Sequence, residues 1–287
     1  MKNMPSSGRI LGIDVGYSEK RATTGFCLLS WTRHAITWDY AKAISALRDR
    51  QSAITDLLGD VSDPVLAVGI DGPLRPGLRI EKTYRACEAL LSRGPLQRRG
   101  KPGQSNSPAG WRLHREATRL AKLAIQLCTV GEATWYPRIH DRAVVEAFPN
   151  FFLACLVDEV AFPAKPSKER KWTDELFRLA RGMVARLLAK LLPDRRPRLD
   201  LEEVKDHEHV AALICAMSAL VALSRDGVLV GSESDGDIVL PPPQFWGTGR
   251  PGQPPWMVSA LTQNLPAVRQ RFPDARILDL ATGRTLD

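Results

Sequence analysis

Three unbroken apolar runs that each arrive at an acidic residue constrain this chain more than any other feature. They are Arg9-Ile-Leu-Gly-Ile-Asp, ending on Asp14, Pro64-Val-Leu-Ala-Val-Gly-Ile-Asp, ending on Asp71, and Ala143-Val-Val-Glu-Ala-Phe, which carries Glu146. Continuous hydrophobicity, rather than alternation, marks a strand covered on both faces. Strands of that kind belong to a sheet layered between helices, so the predicted class is α/β. In open α/β sheets ligands gather at the carboxyl ends of strands. A carboxylate there is costly unless it is paired, hydrogen-bonded or bound to metal. One such acid reads as a cap or an ion pair; three together favour a divalent-cation site.

The segments between the runs give the order of elements. After the first run, 24–31 and 35–39 are β-rich and joined by short links, which predicts an antiparallel meander. Apolar Ala41, Ile44, Leu47, Ile54 and Leu57 recur at helical spacing and predict a helix over 40–58. Further helices are expected over 110–128, 173–192 and 206–223. The last begins with Asp206, His207, Glu208 and His209 and continues as the apolar stretch 210–223. That stretch is shorter than the roughly 20 residues of a membrane span and reads as a buried helix. Its leading acids have the ordinary alternative of serving the helix dipole. Beyond it, 227–230 and 237–240 suggest a hairpin, 254–272 a helix and 275–280 a last strand. The expected organisation is one domain over 9–225, with a basic insertion near 75–119, and an extension over 226–287 packed on the same domain. No internal repeat of fixed period is present.

Charge points to the partner. The 287 residues hold 40 Lys and Arg against 32 Asp and Glu, a formal charge of +8, which favours a polyanion through counterion release. The excess is concentrated: 75–122 contains 12 Lys or Arg against three Glu. Prolines at 73, 76, 95, 102 and 108 break this region into loops. Arg98, Arg99 and Lys101 fall in loop-like sequence suited to backbone phosphates. Trp111 either stacks on a base or lies in the core, the core being favoured. Arg85 reads equally as a phosphate clamp near a metal or as the ion-pair partner of Glu88. The five cysteines form no CxxC pair, so reduced buried thiols and a cytoplasmic setting are expected. The N-terminus has no apolar stretch resembling a signal peptide, and no membrane association is expected. Ser18 and Ser30 lack a Gly-x-Ser-x-Gly elbow, and the histidines lack His-Glu-x-x-His spacing, which argues against a serine hydrolase or a zincin.

The order of strand-Asp, meander, helix, strand-Asp, helices, strand-Glu and acid-headed helix resembles the ribonuclease H-like superfamily. More narrowly, it resembles the bacterial predicted-nuclease family called domain of unknown function 429. Gly12-Ile-Asp-Val-Gly-Tyr, Gly69-Ile-Asp-Gly-Pro-Leu, Arg85-Ala-Cys-Glu, Val145-Glu-Ala-Phe-Pro-Asn and Asp206-His-Glu-His-Val-Ala-Ala-Leu-Ile-Cys-Ala carry the resemblance, over about 10–223. It implies a mixed five-stranded sheet flanked by helices and a nuclease that cleaves phosphodiesters with two Mg²⁺ or Mn²⁺ ions. Asp14 would bridge both ions, Asp71 and Glu208 would each bind one, and Glu146 would bind metal or orient water. Asp206 would be a further metal ligand and His207 would position water at the substrate. Arg85, Arg98, Arg99 and Lys101 would meet the phosphates of DNA or RNA, and a homodimer is left open. One position departs from the pattern: an acid is usual just before the Ala-Leu of the last helix, and here Ala211 stands there. Glu208 precedes it by three residues, on the same face. That departure keeps open a nucleic-acid-binding protein that does not cut. A second alternative is an actin-like ATPase or sugar kinase, since Asp14-Val-Gly matches an opening phosphate loop. The second phosphate loop and Gly-Gly nucleoside site of that fold have no counterpart here.

Overall fold

The computed structural model describes residues 4–60, 63–75, 84–97, 107–135, 138–162, 171–249 and 255–286. Three strands open the chain as a meander: β1 (Gly8–Asp14), β2 (Thr24–Trp31) and β3 (Ala35–Ala43). Then come α1 (Leu47–Leu58), β4 (Val65–Asp71), α2 (Ala86–Leu91), α3 (Pro108–Leu127), β5 (Val144–Ala147), α4 (Pro149–Cys155) and α5 (Trp172–Leu191). A two-residue strand β6 (Arg196–Pro197) precedes α6 (His207–Ser224). The chain ends with β7 (Val228–Ser232), β8 (Gly236–Leu240), α7 (Trp256–Arg269), β9 (Arg276–Asp279) and β10 (Arg284–Thr285).

The larger sheet is mixed and runs β5-β4-β1-β2-β3-β6. The meander β1-β2-β3 is antiparallel, while β4 is parallel to β1 and β5 is parallel to β4. Helices flank this sheet, so the α/β class stands, but the sheet has six strands where five were expected. The sixth forms because the chain leaving α5 passes the open edge of β3. There Arg196 N donates to the His34 carbonyl at 3.0 Å and Arg198 N to that of Ile36 at 2.9 Å. A second difference lies at 40–43, expected to be helical. Tyr40 to Ala43 continue β3 instead, paired with Thr24 to Cys27 of β2, and helix begins only at Leu47. Alanine spacing in 41–47 suits either period, and the ladder offered by β2 decides between them.

Helix α6 is apolar on every side, and every residue from Val210 to Ala222 is buried. Among the described residues it is the one helix long and apolar enough to cross a membrane, and most of it is covered by protein. It lies across β2, β1 and β4. Three glycines make room for it. A Cβ on Gly12 would stand 2.0 Å from the Ala212 carbonyl oxygen, and on Gly69 1.9 Å from that of Cys215. At Gly25 it would stand 2.4 Å from the Glu208 carbonyl oxygen. The backbone of α6 thus rests directly on the backbone of the sheet. Gly12→Ala is expected to lift the helix and destabilise the chain by about 1–3 kcal/mol or more, the usual cost of overpacking. Urea unfolding measures this, and an unchanged midpoint would refute the close approach.

Helices α1 and α3 pack on each other and on β2–β4, joined by a buried ion pair between Arg50 Nη1 and Glu116 Oε2 at 2.8 Å. Arg50 also donates to the Gly16 carbonyl at 2.6 Å, which ties the turn after β1 to both helices. The C-terminal strands form a separate antiparallel sheet, β10-β9-β7-β8. Strand β8 packs on β5, α4 and α6, and α7 packs on α2. The expected hairpin is β7–β8, and β9 joins it on the far side of β7. All five cysteines are free and buried.

Candidate functional site

The parallel ladder between β1 and β4 pairs Gly12 with Gly69 and Ile13 with Ile70. The next residues in both strands are Asp14 and Asp71, which places two carboxylates side by side at the carboxyl ends of adjacent strands. Strand alternation puts each on the face of its neighbouring glycine two residues earlier, the face on which α6 lies. Asp14 also pairs with Gly25, where the first turn of α6 touches the sheet.

Both aspartates are half-buried. Among the described residues neither side chain has a hydrogen bond or an ion pair. Burial, then the charges of Asp71 and Glu208, push the Asp14 carboxyl well above the usual carboxylate range. Burial, followed by the charge of Glu146, pushes Asp71 up to about 7. The physical cause is shared: negative charge is concentrated in a partly desolvated place with little compensation. Acids raised together in this way mark a candidate functional site.

The first turn of α6 supplies the remaining acids, each already engaged. Asp206 is the N-cap, accepting from the amides of Glu208 at 3.1 Å and His209 at 3.3 Å. It also receives Lys42 Nζ at 2.6 Å. Partial burial works against its ionisation, but Lys42 and the cap amides hold it down at about 2. Its charge is therefore spent on the helix end and on β3, in the ordinary role of a cap. His207 Nδ1 lies 2.8 Å from Asp174 of α5. Glu208 faces Lys171 Nζ at 3.4 Å. Lys171 is 59% exposed, and an ion pair so open to solvent contributes only about 0–1 kcal/mol. Ala211 is buried one turn further on, between Glu208 and Cys215 on one helix face. Burial, then Asp71 and Asp14, push the Cys215 thiol up, so this face of α6 looks onto the aspartate pair.

Glu146 turns away from the pair, although its charge still reaches Asp71. It is in register with Ile70, one residue before Asp71, so alternation turns it to the opposite face of the sheet. There it is buried and held by Arg85, whose Nη1 donates to Oε2 at 3.1 Å and whose Nη2 pairs with Oε1. The Leu74 amide adds a bond at 3.3 Å. Arg85 also reaches Glu88 Oε1 at 3.0 Å and the Asp235 carbonyl at 3.2 Å. At 1% exposed, it is closed off from any phosphate in solution. Of its two expected roles, the ion pair with Glu88 is present, and Glu146 joins it.

Arg98, Arg99 and Lys101 lie outside the described residues. Trp111 is half-buried, with its ring 4.7 Å from that of His114. Sequence reasoning missed Lys42 and Lys171, the cations that neutralise the α6 acids, and Asp235, whose carboxylate accepts from the Ala86 amide at 2.8 Å to start α2. Local sequence carries no signal for any of the three, since each meets its partner across more than 30 residues. Among the described residues no three His, Cys, Asp or Glu side chains converge closely enough to form a ready-made metal cage. The donor set that fits a divalent ion is the hard, unpartnered oxygen pair of Asp14 and Asp71, with Glu208 nearest to completing it. Comparison with protein-family models, with curated proteins and with solved structures returned no match.

Proposed function

We propose that this chain is a ribonuclease H-like, metal-dependent nuclease that hydrolyses phosphodiester bonds of nucleic acid. The observation that carries the reading is the juxtaposition of unpartnered Asp14 and Asp71 at the carboxyl ends of adjacent parallel strands. The topology is in keeping with it: an antiparallel meander followed by two parallel strands on the far side of β1. The excess positive charge of the chain suits a polyanionic substrate.

Asp14 and Asp71 would hold Mg²⁺ or Mn²⁺, and Glu208 would join them on releasing Lys171. Bound there, the metal would supply stabilisation of phosphoryl charge and activation of water. The chain's own part is distinct. The glycine-seated α6 fixes the aspartates' surroundings, and Lys171, once released, is a cation beside the site able to meet a substrate phosphate. Arg85 and Glu146 brace the turn after Asp71 from the other face. They act as structural supports, so the metal role expected for Glu146 is not carried forward.

A second reading has one observation in its favour. Ala211 stands at the α6 position where the resembling sequences carry an acid, and its methyl group cannot bind metal, which suits a protein that binds nucleic acid without cutting it. Incubation with labelled single-stranded, duplex and branched DNA and RNA in Mg²⁺ or Mn²⁺ separates the two. The nuclease reading expects metal-dependent cleavage that falls by about a hundredfold to a thousandfold in Asp14→Ala, the scale of losing a principal electrostatic group. Metal binding with no cleavage across the panel would sink it.

A further inference from the structure

Helix α3 presents a face that the aspartate pair does not explain. Arg112, Arg115, Arg119 and Lys122 recur at i, i+3, i+7 and i+10, and all four are exposed. The opposite face, with Ala117, Leu120, Ala121 and Ala124, is buried. At 1.5 Å per residue the four cations form a stripe about 15 Å long. The one acid within it, Glu116, is turned inward to Arg50, with Arg119 at 2.9 Å and Arg115 at 3.6 Å over it. Glu116 therefore anchors the stripe from beneath and leaves the surface positive.

The first turns of α3 lie beside the turns that follow Asp14 and Asp71. Gly72, directly after Asp71, lies against Leu113 and Ala117 of α3. Arg112 reaches the loop that follows Asp14: its Nη2 donates to the Tyr17 carbonyl at 3.3 Å, and its guanidinium sits 4.9 Å from the Tyr17 ring centroid. Tyr17 is nevertheless 43% exposed, one of the few large hydrophobic side chains left open among the described residues. Exposed Lys20 and Arg21 border the same depression, along with Glu19. At the other end Arg119 and Lys122 flank a groove between α1 and α3. An exposed ring carrying a guanidinium, leading into a line of cations, combines the two elements by which proteins hold unpaired strands: stacking for bases and a basic path for phosphates.

We infer that this face, from Tyr17 along α3 to Lys122, is a track for single-stranded nucleic acid that delivers the strand to the Asp14–Asp71 pair. The inference names the substrate of the nuclease proposed above and rests on that reading for the destination of the strand. Charge complementarity selects a polyanion, and the open aromatic ring selects one whose bases are accessible rather than stacked in a duplex.

Fluorescence anisotropy with labelled oligo-dT and oligo-U, in EDTA and over a series of salt concentrations, tests the track without any cleavage. Arg115→Gln/Arg119→Gln/Lys122→Gln is expected to weaken binding about tenfold or more and to lower the salt slope by about 2, since each single-strand phosphate contact contributes about 0.7. Tyr17→Ala is expected to weaken binding by about tenfold, while Tyr17→Phe, which keeps the ring, binds like the wild type. The substituted side chains are exposed, and unchanged thermal melts confirm intact folding. Binding by the triple variant equal to wild type, preference for duplex over single strands, or no binding by the wild type would each overturn the track. A Mn²⁺ titration followed by thermal shift runs alongside. Track-dependent strand binding with no Mn²⁺ shift in the wild type would sink the metal site and leave the track standing.

Discussion

Asp14→Asn and Asp71→Asn are expected to raise the melting temperature of the metal-free chain at pH 8 while abolishing its stabilisation by Mg²⁺ or Mn²⁺. Each carboxylate is half-buried, next to other negative charges and without a partner among the described residues. Burial and like charge raise both acids in the folded chain, Asp71 to about 7, above an unfolded value near 3.9. A carboxyl raised in this way favours the fold while it stays protonated. That contribution is full below the unfolded value and is lost as pH rises through the folded one. At pH 8 both groups therefore work against folding, and a neutral amide of the same shape removes the strain. For a chain of this size each kcal/mol relieved raises the melting temperature by about 2–4 °C. The gain should shrink at pH 5, where Asp71 is largely protonated in the folded wild type. A metal held by the proposed site would stabilise by binding only the folded state, so saturating Mn²⁺ is expected to raise the melting temperature of the wild type and not that of either variant. Asparagine variants that melt below the wild type at pH 8 would show that these acids are structural.

Arg85→Met is expected to cost about 3–5 kcal/mol, because removing one member of a buried ionic cluster leaves the others charged and uncompensated. Glu88 and Glu146 are 3% and 2% exposed, and the guanidinium lies between them. The same side chain anchors the Asp235 carbonyl at the tip of the β7–β8 hairpin, so its loss should loosen the docking of the C-terminal sheet. Replacing both glutamates by glutamine in the Arg85→Met background is expected to recover most of the stability, since the stranded charges are then gone. Urea unfolding of the three chains measures the effect. A triple variant no more stable than Arg85→Met alone would place Arg85's contribution in packing rather than charge.

The two expectations rest on acids that look alike in the sequence. Asp14, Asp71 and Glu146 each close or nearly close an apolar strand, and a common site is the natural reading of all three. Only the pairing register separates them: Glu146 aligns with Ile70 and leaves the sheet on the other face. A single-residue offset between neighbouring strands decides this, and nothing within either strand encodes it. The same holds for Arg85, for which the sequence offered two equal partners and the fold adds Glu146 and the Asp235 carbonyl.

What this sequence determines by itself is the α/β layering and the place of its core. The apolar runs of β1, β4 and β5 leave no polar face for solvent, and α6 is apolar all round. Those properties are summed along one segment, so they are legible in it. Asp14 and Asp71 are legible for the same reason, as acids closing strands that have to be buried. What the tertiary structure alone decides is which charge meets which. Lys42 finds Asp206 and Lys171 finds Glu208, while the edge of β3 recruits β6 and extends through Ala43. Glu146 is withdrawn from the aspartates into the grip of Arg85. Each of these depends on groups brought together from distant parts of the chain, where a charge takes the nearest compensation the packing offers. Asp14 and Asp71 stay half-buried side by side with no hydrogen bond or ion pair among the described residues.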